Sequence, residues 1–259
     1  MEEKVLFSKE DGVATITLNR PKALNALDND MIAAVKAFLE QCQMNDAIRV
    51  IVLQGNGKAF CSGDDLVDMG TELHPNPSNK FTEYIQGYPE LVKLIRQLEK
   101  PVITKVHRYA LGAGCELALA SDFIVASDDS KFGLPFVLRG LSAGTYLLQE
   151  ALGYHTAAKY LYTGGMIEAR VMENHNVLYK LVSVEQLDDE VTRLANKLSH
   201  SATRSIALMK RAMRNSKNMA LHEAMDHQAL STVASFYTED YKEGIQAFVE
   251  KRQPNFKGK

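Results

Sequence analysis

One acidic residue stands in surroundings that call for a chemical explanation. Glu116 comes shortly after Gly112-Ala113-Gly114 and stands inside an apolar run that extends from residue 115 to residue 120. A strand–glycine–helix junction exposes unpaired backbone N–H groups, which suit a negatively charged oxygen. An ionised carboxylate among apolar side chains is costly unless it is paired. Glu116 is therefore a candidate acid/base group. The alternative is a partly solvated glutamate that interacts with the helix dipole.

A second glycine turn has the same setting. Residues 58–66 read KAFCSGDDL and follow the apolar run at residues 49–54. Two such turns can each offer one N–H to a single thioester carbonyl oxygen. This arrangement, an oxyanion hole, stabilises an enolate, and losing one donor typically costs about 100- to 1000-fold in rate. The two turns and Glu116 together indicate enolate chemistry.

The elements that must position these residues are short strands alternating with helices. Alternating or continuous apolar runs predict strands, and apolar residues at helical spacing predict helices. The predicted strands are 13–18, 49–54, 101–106 and 123–127, and the predicted helices of the first half are 28–42, capped by Asp28 or Asn29, and 91–98. The polar stretch 70–80 contains two prolines and predicts a surface loop.

The second half of the chain has a different pattern. From about residue 144 the predicted elements are helices, at 145–152, 156–163, 187–198, 203–214 and 221–236. We therefore predict a mixed α/β protein with a β/α core at residues 1–200 and a helical region at residues 201–259. The helical region is expected to pack against the core or against another subunit.

Composition excludes several classes of function. The chain has 259 residues, 46% of them hydrophobic, and its 30 basic and 32 acidic residues give a net charge of -2. This balance gives no reason to expect nucleic acid or an anionic membrane as a partner. Three cysteines without CxxC spacing favour neither a disulfide framework nor a metal site. No signal peptide or run of about 20 apolar residues is seen, so we expect a cytoplasmic protein.

Four stretches of the chain resemble the crotonase (enoyl-CoA hydratase/isomerase) superfamily, in the usual order of that family. They are residues 19–27 (NRPKALNAL), 58–66 (KAFCSGDDL), 109–122 (YALGAGCELALASD) and 243–259 (EGIQAFVEKRQPNFKGK). The resemblance implies a spiral of ββα units with a C-terminal helical region that builds a homotrimer, often paired into a homohexamer. It also implies an acyl-CoA substrate, so coenzyme A arrives with the substrate and no separate cofactor is expected.

The resemblance also implies roles for individual residues. The oxyanion-hole N–H groups should come from Asp64 and Ala113, although the family commonly has glycine where Ala113 stands. Gly63 and Gly112 belong to the two turns. The remaining expected contacts are Lys22, Ala23 and Leu24 along the CoA nucleotide, Ser62, Asp65 and Leu66 in the same groove, and Phe248 and Lys251 reaching CoA on a neighbouring subunit.

Phe136 is a departure from the family pattern. Enoyl-CoA hydratases of the standard kind use two glutamates to hold and activate one water, and Glu116 matches the first. The second normally follows a Gly-x-Pro step, but here Gly133-Leu134-Pro135 is followed by Phe136. A phenyl ring cannot transfer a proton. Efficient hydration by two glutamates is therefore not expected, and Phe136 should reshape the acyl pocket together with the shortened segment 140–145.

Three hypotheses about function remain open. In the first, Glu116 alone moves a proton, which gives double-bond isomerisation or weak hydration, although some family isomerases use the position of Phe136. In the second, a malonyl-type CoA thioester is decarboxylated, which forms an enolate without a base. In the third, the chain is a weakened acyl-CoA-binding or assembly subunit. Asp64, Asp65 and Tyr146 are possible substitute acids, against helix-capping or surface roles.

Overall fold

The computed structural model describes residues 3–65 and 77–259. A six-stranded sheet, in the order β1-β2-β3-β4-β6-β9, forms the centre of the chain, and β5, β7 and β8 form a smaller sheet. The strands are β1 (Val5–Glu10), β2 (Val13–Leu18), β3 (Val50–Gly55), β4 (Val102–Val106), β5 (Tyr109–Leu111), β6 (Phe123–Ser127), β7 (Lys131–Gly133), β8 (Ile167–Glu168) and β9 (Lys180–Val182). In the large sheet, β1 and β2 are antiparallel and all other pairs are parallel.

The helices of the described residues follow and surround the large sheet. They are α1 (Asn29–Met44), α2 (Pro77–Gln86), α3 (Tyr88–Gln97), α4 (Ala113–Ala120), α5 (Thr145–Leu152), α6 (Tyr154–Thr163), α7 (Ala169–Asn174), α8 (Leu187–Ser199), α9 (Thr203–Ser216), α10 (Leu221–Phe236) and α11 (Glu239–Glu250). The start of α1 confirms the helix cap that the sequence predicted at Asp28. The Asp28 carboxylate accepts a hydrogen bond from the Met31 amide at 2.9 Å, as an N-cap does.

The sheet is covered on both faces, and β3 shows how. Side chains alternate along a strand. Accordingly, Ile51 and Leu53 join a large core that also contains residues of α1, α3 and α4. Val50 and Val52 join a smaller core with Leu187, Val191, Leu194 and Ala195 of α8. A strand with apolar neighbours on both faces needs a continuous apolar run, which is the pattern that predicted it.

Most long elements appear where the sequence predicted them, and the short ones were missed. Strands β2, β3, β4 and β6 lie within a residue of their predicted bounds. Strand β1 was not predicted, nor were β7, β8 and β9, which are too short to show a period. The strand predicted to lead into Gly112 is β5. The predicted loop at 70–80 is wrong for residues 77–80, because α2 begins at Pro77. Residues 70–76 lie outside the described part of the chain.

The C-terminal helices form the predicted helical region. Helices α9 and α10 pack on one another, and Lys210 of α9 forms an ion pair with Asp122 at 2.6 Å. Arg49, just before β3, donates hydrogen bonds to Thr203 Oγ1, Ser201 O and Phe256 O. These contacts confirm a mixed α/β fold with a helical C-terminal region. The division between residues 200 and 201 stays a prediction.

Within the described residues, no helix is long and apolar enough to cross a lipid bilayer. The three cysteines are free and buried.

Candidate active site

The two glycine turns lie against each other. A Cβ added to Gly63 would be 3.0 Å from Leu111 O, 3.4 Å from the Gly112 Cα and 3.5 Å from the Ala113 amide nitrogen. Gly63 and Gly112 also have φ values of +105° and +51°, which side chains rarely tolerate. A Cβ on Gly114 would come within 2.6 Å of the Cys61 Cβ. Backbone conformation therefore requires glycine at residues 63 and 112, and the close approach of Cys61 requires it at residue 114.

Backbone hydrogen bonds fix the relative position of the two turns. Cys61 and Ala110 form a parallel bridge, and Leu27 and Asp64 form another. In the second bridge, the Leu27 amide donates to Gly63 O and the Asp65 amide donates to Leu27 O, both at 2.8 Å. Those two bonds flank Asp64 and do not use its own amide. The glycine turn at Gly63 is thus held between Leu27 and strand β5.

Two amides remain available beside this contact. Ala113 is the first residue of α4, so its N–H has no intrahelical acceptor. In the described parts of the chain, neither the Asp64 nor the Ala113 amide donates to a backbone carbonyl. Such donors can stabilise an oxygen on which negative charge develops. The turns that contain Asp64 and Ala113 therefore lie next to each other. These are the two residues that the family resemblance implies as oxyanion-hole donors.

Glu116 lies in the first turn of α4, close to these amides in the chain. Every residue of α4 is buried, and Glu116 is only 8% exposed. Burial disfavours the charged form, so the pKa of Glu116 is raised above its ordinary value. Interaction with the Tyr88 hydroxyl opposes that rise. A buried glutamate with a raised pKa, three residues from the Ala113 amide in the chain, has the environment of a general acid or base.

Two tyrosines that the sequence did not single out extend from Glu116. Tyr88, in the first turn of α3, is 3% exposed, and its hydroxyl lies 2.6 Å from that of Tyr84. Tyr84 is 43% exposed. The two hydroxyls thus form a hydrogen-bonded path from Glu116 towards the surface. Tyr88 could have been found, since it lies on the same helical face as Leu91 and Ile95, where a buried hydroxyl needs a partner.

Asp64 and Asp65 have different environments despite being adjacent. The Asp65 carboxylate accepts a hydrogen bond from Arg20 at 2.9 Å. Asp64 Oδ2 is buried and has no hydrogen-bond partner within the described residues. Burial, together with the charge of Glu116, raises the pKa of Asp64 to about 7. Asp64 is therefore a second titratable group of this site, whereas Asp65 is engaged by a cation.

Phe136 lies at the Gly112 turn. It belongs to a 3-10 turn, Pro135–Arg139, and its ring Cζ is 3.6 Å from the position that a Cβ on Gly112 would take. The ring is half-buried and packs on the main core. An apolar wall therefore occupies the position where the family resemblance would place a second glutamate. Tyr146 is 63% exposed, and its hydroxyl accepts a hydrogen bond from Lys217 at 2.8 Å, a surface role.

The expected CoA segment packs beside the first glycine turn. The Ser62 amide donates to Leu24 O at 3.0 Å and its hydroxyl donates to Ala23 O at 3.3 Å. Buried Asn25 holds the segment from the other side, because its side-chain amide donates to Asn56 O, Ala59 O and Phe60 O. Lys22 is exposed. The structure therefore brings Lys22, Ala23 and Leu24 next to Ser62, while Leu66 lies outside the described residues.

The two tail residues are not part of this cluster in a single chain. Phe248 is 83% exposed, and Lys251 ends α11. The hydrogen bonds described for Lys251 stay inside α11, where its amide donates to Ala247 O and Phe248 O. Their expected contact with CoA on a neighbouring subunit stays a prediction.

Cysteine chemistry does not fit this site. Cys61 and Cys115 are fully buried, and burial raises the pKa of each thiol to about 12. Both thiols are protonated at neutral pH, which removes their nucleophilic form. In the part of the chain that the structure describes, no group of three or more histidine, cysteine, aspartate or glutamate side chains could hold a metal ion.

Fold and site together define an α/β enzyme in which two glycine turns meet beside a buried carboxyl group. The family model described as "Enoyl-CoA hydratase/isomerase" matches residues 8–259. The chain belongs to this family, within the crotonase superfamily, and is an enzyme of that family.

Individual relatives cover the chain from end to end. The 1,2-epoxyphenylacetyl-CoA isomerase of Escherichia coli K12 is 33% identical and is aligned over 100% of both chains. The crotonyl-CoA hydratase of Syntrophomonas wolfei is 33% identical over 98% of each chain. The crystal structure of an enoyl-CoA hydratase from Mycobacterium smegmatis superposes with a TM-score of 0.93 at 29% identity, covering 98% of this chain and 99% of the other. The crotonase-type fold is therefore confirmed.

The environment of Asp64 predicts a pH-dependent gain of stability when its carboxyl is removed. Between the unfolded pKa of about 4 and the folded value of about 7, the folded state binds more protons than the unfolded state. Stability should therefore fall as pH rises through that window. After allowance for partial solvation, Asp64→Asn should gain about 1–2 kcal/mol relative to the parent protein on going from pH 5 to pH 8. Urea unfolding at both pH values, at one protein concentration, measures this.

Asp65→Asn is the matched control. It removes a carboxylate that pairs with Arg20, so its stability difference from the parent should not become more favourable as pH rises. An Asp64→Asn difference that is the same at pH 5 and pH 8 would contradict the raised pKa.

Proposed function

We propose that this enzyme shifts the double bond of an enoyl-CoA thioester, with Glu116 as a proton-transfer group. The observation that carries the proposal is the contact between the two glycine turns, where neither the Asp64 nor the Ala113 amide donates to a backbone carbonyl in the described residues and Glu116 is buried. The amides bind the thioester oxygen and stabilise the enolate. Glu116 takes up the proton whose loss forms that enolate.

Phe136 favours isomerisation over hydration. Hydration requires a water held and activated beside the hole, and the phenyl ring at the Gly112 turn offers neither a donor nor an acceptor for it. Isomerisation moves a proton within the substrate and benefits from an apolar wall that excludes water. The relatives include enzymes named as isomerases, acting by name on 1,2-epoxyphenylacetyl-CoA and on trans-2-decenoyl-[acyl-carrier-protein], as well as hydratases.

The binding groove follows from the same geometry. We assign the CoA nucleotide to the segment Lys22, Ala23 and Leu24, which packs on Ser62. Lys22 is exposed and supplies positive charge for a phosphate. Asp65 is held by Arg20 beside this segment, so it contributes to the shape of the groove and not to proton transfer.

Product analysis with Glu116→Gln tests the proposal. The parent enzyme should convert a 3-enoyl-CoA into the 2-enoyl isomer, detected by chromatography and NMR. Glu116→Gln should lose about 100- to 10,000-fold of that rate and keep its affinity for CoA, because the amides and the groove are unchanged.

The control for that experiment is Glu173→Gln, a helix-surface substitution that should leave the rate unchanged. A crotonyl-CoA product heavier by one water would instead indicate a hydratase, and a methylmalonyl-CoA product lighter by carbon dioxide would indicate a decarboxylase. Full isomerase activity in Glu116→Gln would remove Glu116 from the mechanism. CoA binding without turnover of any of these thioesters would favour a binding or assembly subunit.

Restoring a carboxylate at residue 136 should create hydration. Phe136→Glu places an acid beside the Gly112 turn, and we expect hydration of crotonyl-CoA to rise about 10-fold or more, within the range that one acid/base group contributes. Phe136→Gln, of equal size without the acid, is the matched control. Equal hydration rates in the two variants would show that the altered segment 140–145, and not the missing acid, limits hydration.

We also propose that the chain assembles into a homotrimer or homohexamer through residues 201–259. Helix α10 contains leucine, methionine, valine and phenylalanine, yet has no buried residue in the single chain. Its exposed apolar side chains include Leu230, which is 71% exposed. This apolar surface continues on α9 with Met213, at 75%, and on α11 with Phe248, at 83%. A large apolar surface of this kind marks an interface.

Light scattering during gel filtration checks the assembly. The parent protein should have the mass of three or six chains of 28.8 kDa. Leu230→Lys should lower that mass, because it puts a charge into the interface without removing an intrachain core contact. Gln228→Lys, on the same helix at an exposed polar position, should not. A parent protein that elutes as a monomer contradicts the proposal.

A further inference from the structure

We propose that the Asp64 carboxyl group is the second proton-transfer group of this site, and that it works with Glu116 at opposite ends of the shifting double bond. This inference rests on the proposed isomerase function. It assigns to Asp64 a chemical role beyond its backbone amide, and it supplies the acid that Phe136 cannot.

The first argument is position. Asp64 follows Gly63, whose Cβ position is 3.5 Å from the Ala113 amide nitrogen. Its side chain therefore originates at the same turn contact that places the two amides. The charge of Glu116 acts on Asp64, and the charges of both carboxyls act on Tyr84. The Tyr84 hydroxyl, 2.6 Å from that of Tyr88, is therefore within electrostatic range of both carboxyl groups.

The second argument is the unpaired oxygen. Asp64 Oδ2 is buried, and in the described ranges it has no hydrogen-bond partner. Buried polar atoms are nearly always hydrogen-bonded, so an exception calls for a functional explanation. A carboxyl oxygen that must exchange a proton with substrate has to remain free of a protein partner in the resting enzyme.

The third argument is the charge of the groups that surround the Asp64 carboxyl. Asp64 interacts electrostatically with Glu116, with the Tyr84 hydroxyl and with the Cys61 thiol. The nearby cation, Arg20, pairs instead with Asp65 and Asp28. An anionic neighbour disfavours a second negative charge, and among the described residues no cation contributes to the pKa shift of Asp64. The pair of carboxyls therefore tends to keep one proton, which is the state that an acid and a base working together require.

The reaction follows from this division. The Glu116 carboxylate takes the α-proton of a 3-enoyl thioester. The C–H electron pair forms a double bond between the α-carbon and the carbonyl carbon, and the carbonyl π pair moves onto the oxygen, which gives a dienolate whose oxygen is bound by the two amides. Protonated Asp64 then gives its proton to the γ-carbon, where the dienolate electron pair forms the new C–H bond. The product is the 2-enoyl thioester. Transfer of one proton from Glu116 to Asp64, directly or through solvent, restores the starting state.

Isotope exchange separates the two roles. A 3-enoyl-CoA in D₂O is followed by NMR for exchange of the α-hydrogen and for conversion to the 2-enoyl isomer. Asp64→Asn should convert at least about 100-fold more slowly but retain α-hydrogen exchange, since Glu116 and the amides remain. Glu116→Gln should lose both. Asp65→Asn, the matched control, should keep both.

Two outcomes would overturn the inference. Conversion by Asp64→Asn at the parent rate would show that Glu116 serves both carbons. Equal loss of exchange and conversion would show that Asp64 acts only through the shape of its turn.

An NMR titration of the aspartate carboxyls tests this inference independently of the proposed isomerase activity. With aspartate carboxyls labelled with ¹³C, the parent protein should show an aspartate that titrates near neutral pH. That signal should be absent in Asp64→Asn and should move to lower pH in Glu116→Gln. If the parent protein does not isomerise any enoyl-CoA but shows this titration, the proposed function fails and the coupled carboxyl pair stands. If no aspartate titrates near neutral pH, the inference fails even in an active isomerase.

Discussion

The contact between Gly63 and Gly112 is the constraint on which the site depends. It joins two turns from distant parts of the chain at glycines whose positive φ values disfavour side chains, and it places the Ala113 amide nitrogen 3.5 Å from the Cβ position of Gly63. Backbone bridges at Cys61 and Leu27 maintain the contact. The proposed binding of the thioester oxygen therefore depends mainly on backbone groups. The side chains of Phe136 and Asp64 determine which proton transfers can follow.

The sequence predicted the parts of this structure that rest on long periodic patterns or on strict backbone demands. Strands with continuous apolar residues, and the glycines of both turns, fall into this group. Strands of two or three residues carry no period, so β7 and β8 were missed. Tyr88 was also missed, although its helical spacing with Leu91 and Ile95 indicates a buried hydroxyl that needs a partner.

The relation between Asp64 and Asp65 marks the limit of sequence inference more sharply. The two residues are chemically identical and adjacent, and helix capping was an equal possibility for both. Arg20, 45 positions from Asp65 in sequence, forms an ion pair with one and leaves the other beside Glu116. Which carboxylate meets the cation is decided by the direction of each side chain at a turn, and no local pattern encodes that direction.

Arg49 has a consequence for how the protein is made. It stands at the start of a central strand, but one of its hydrogen bonds goes to Phe256 O, 207 residues further along the chain. The other two go to Ser201 and Thr203. While the chain is being made, this guanidinium lacks that partner until residue 256 has been added and has folded back against the start of β3. The arginine thus ties the position of a central strand to a segment synthesised much later.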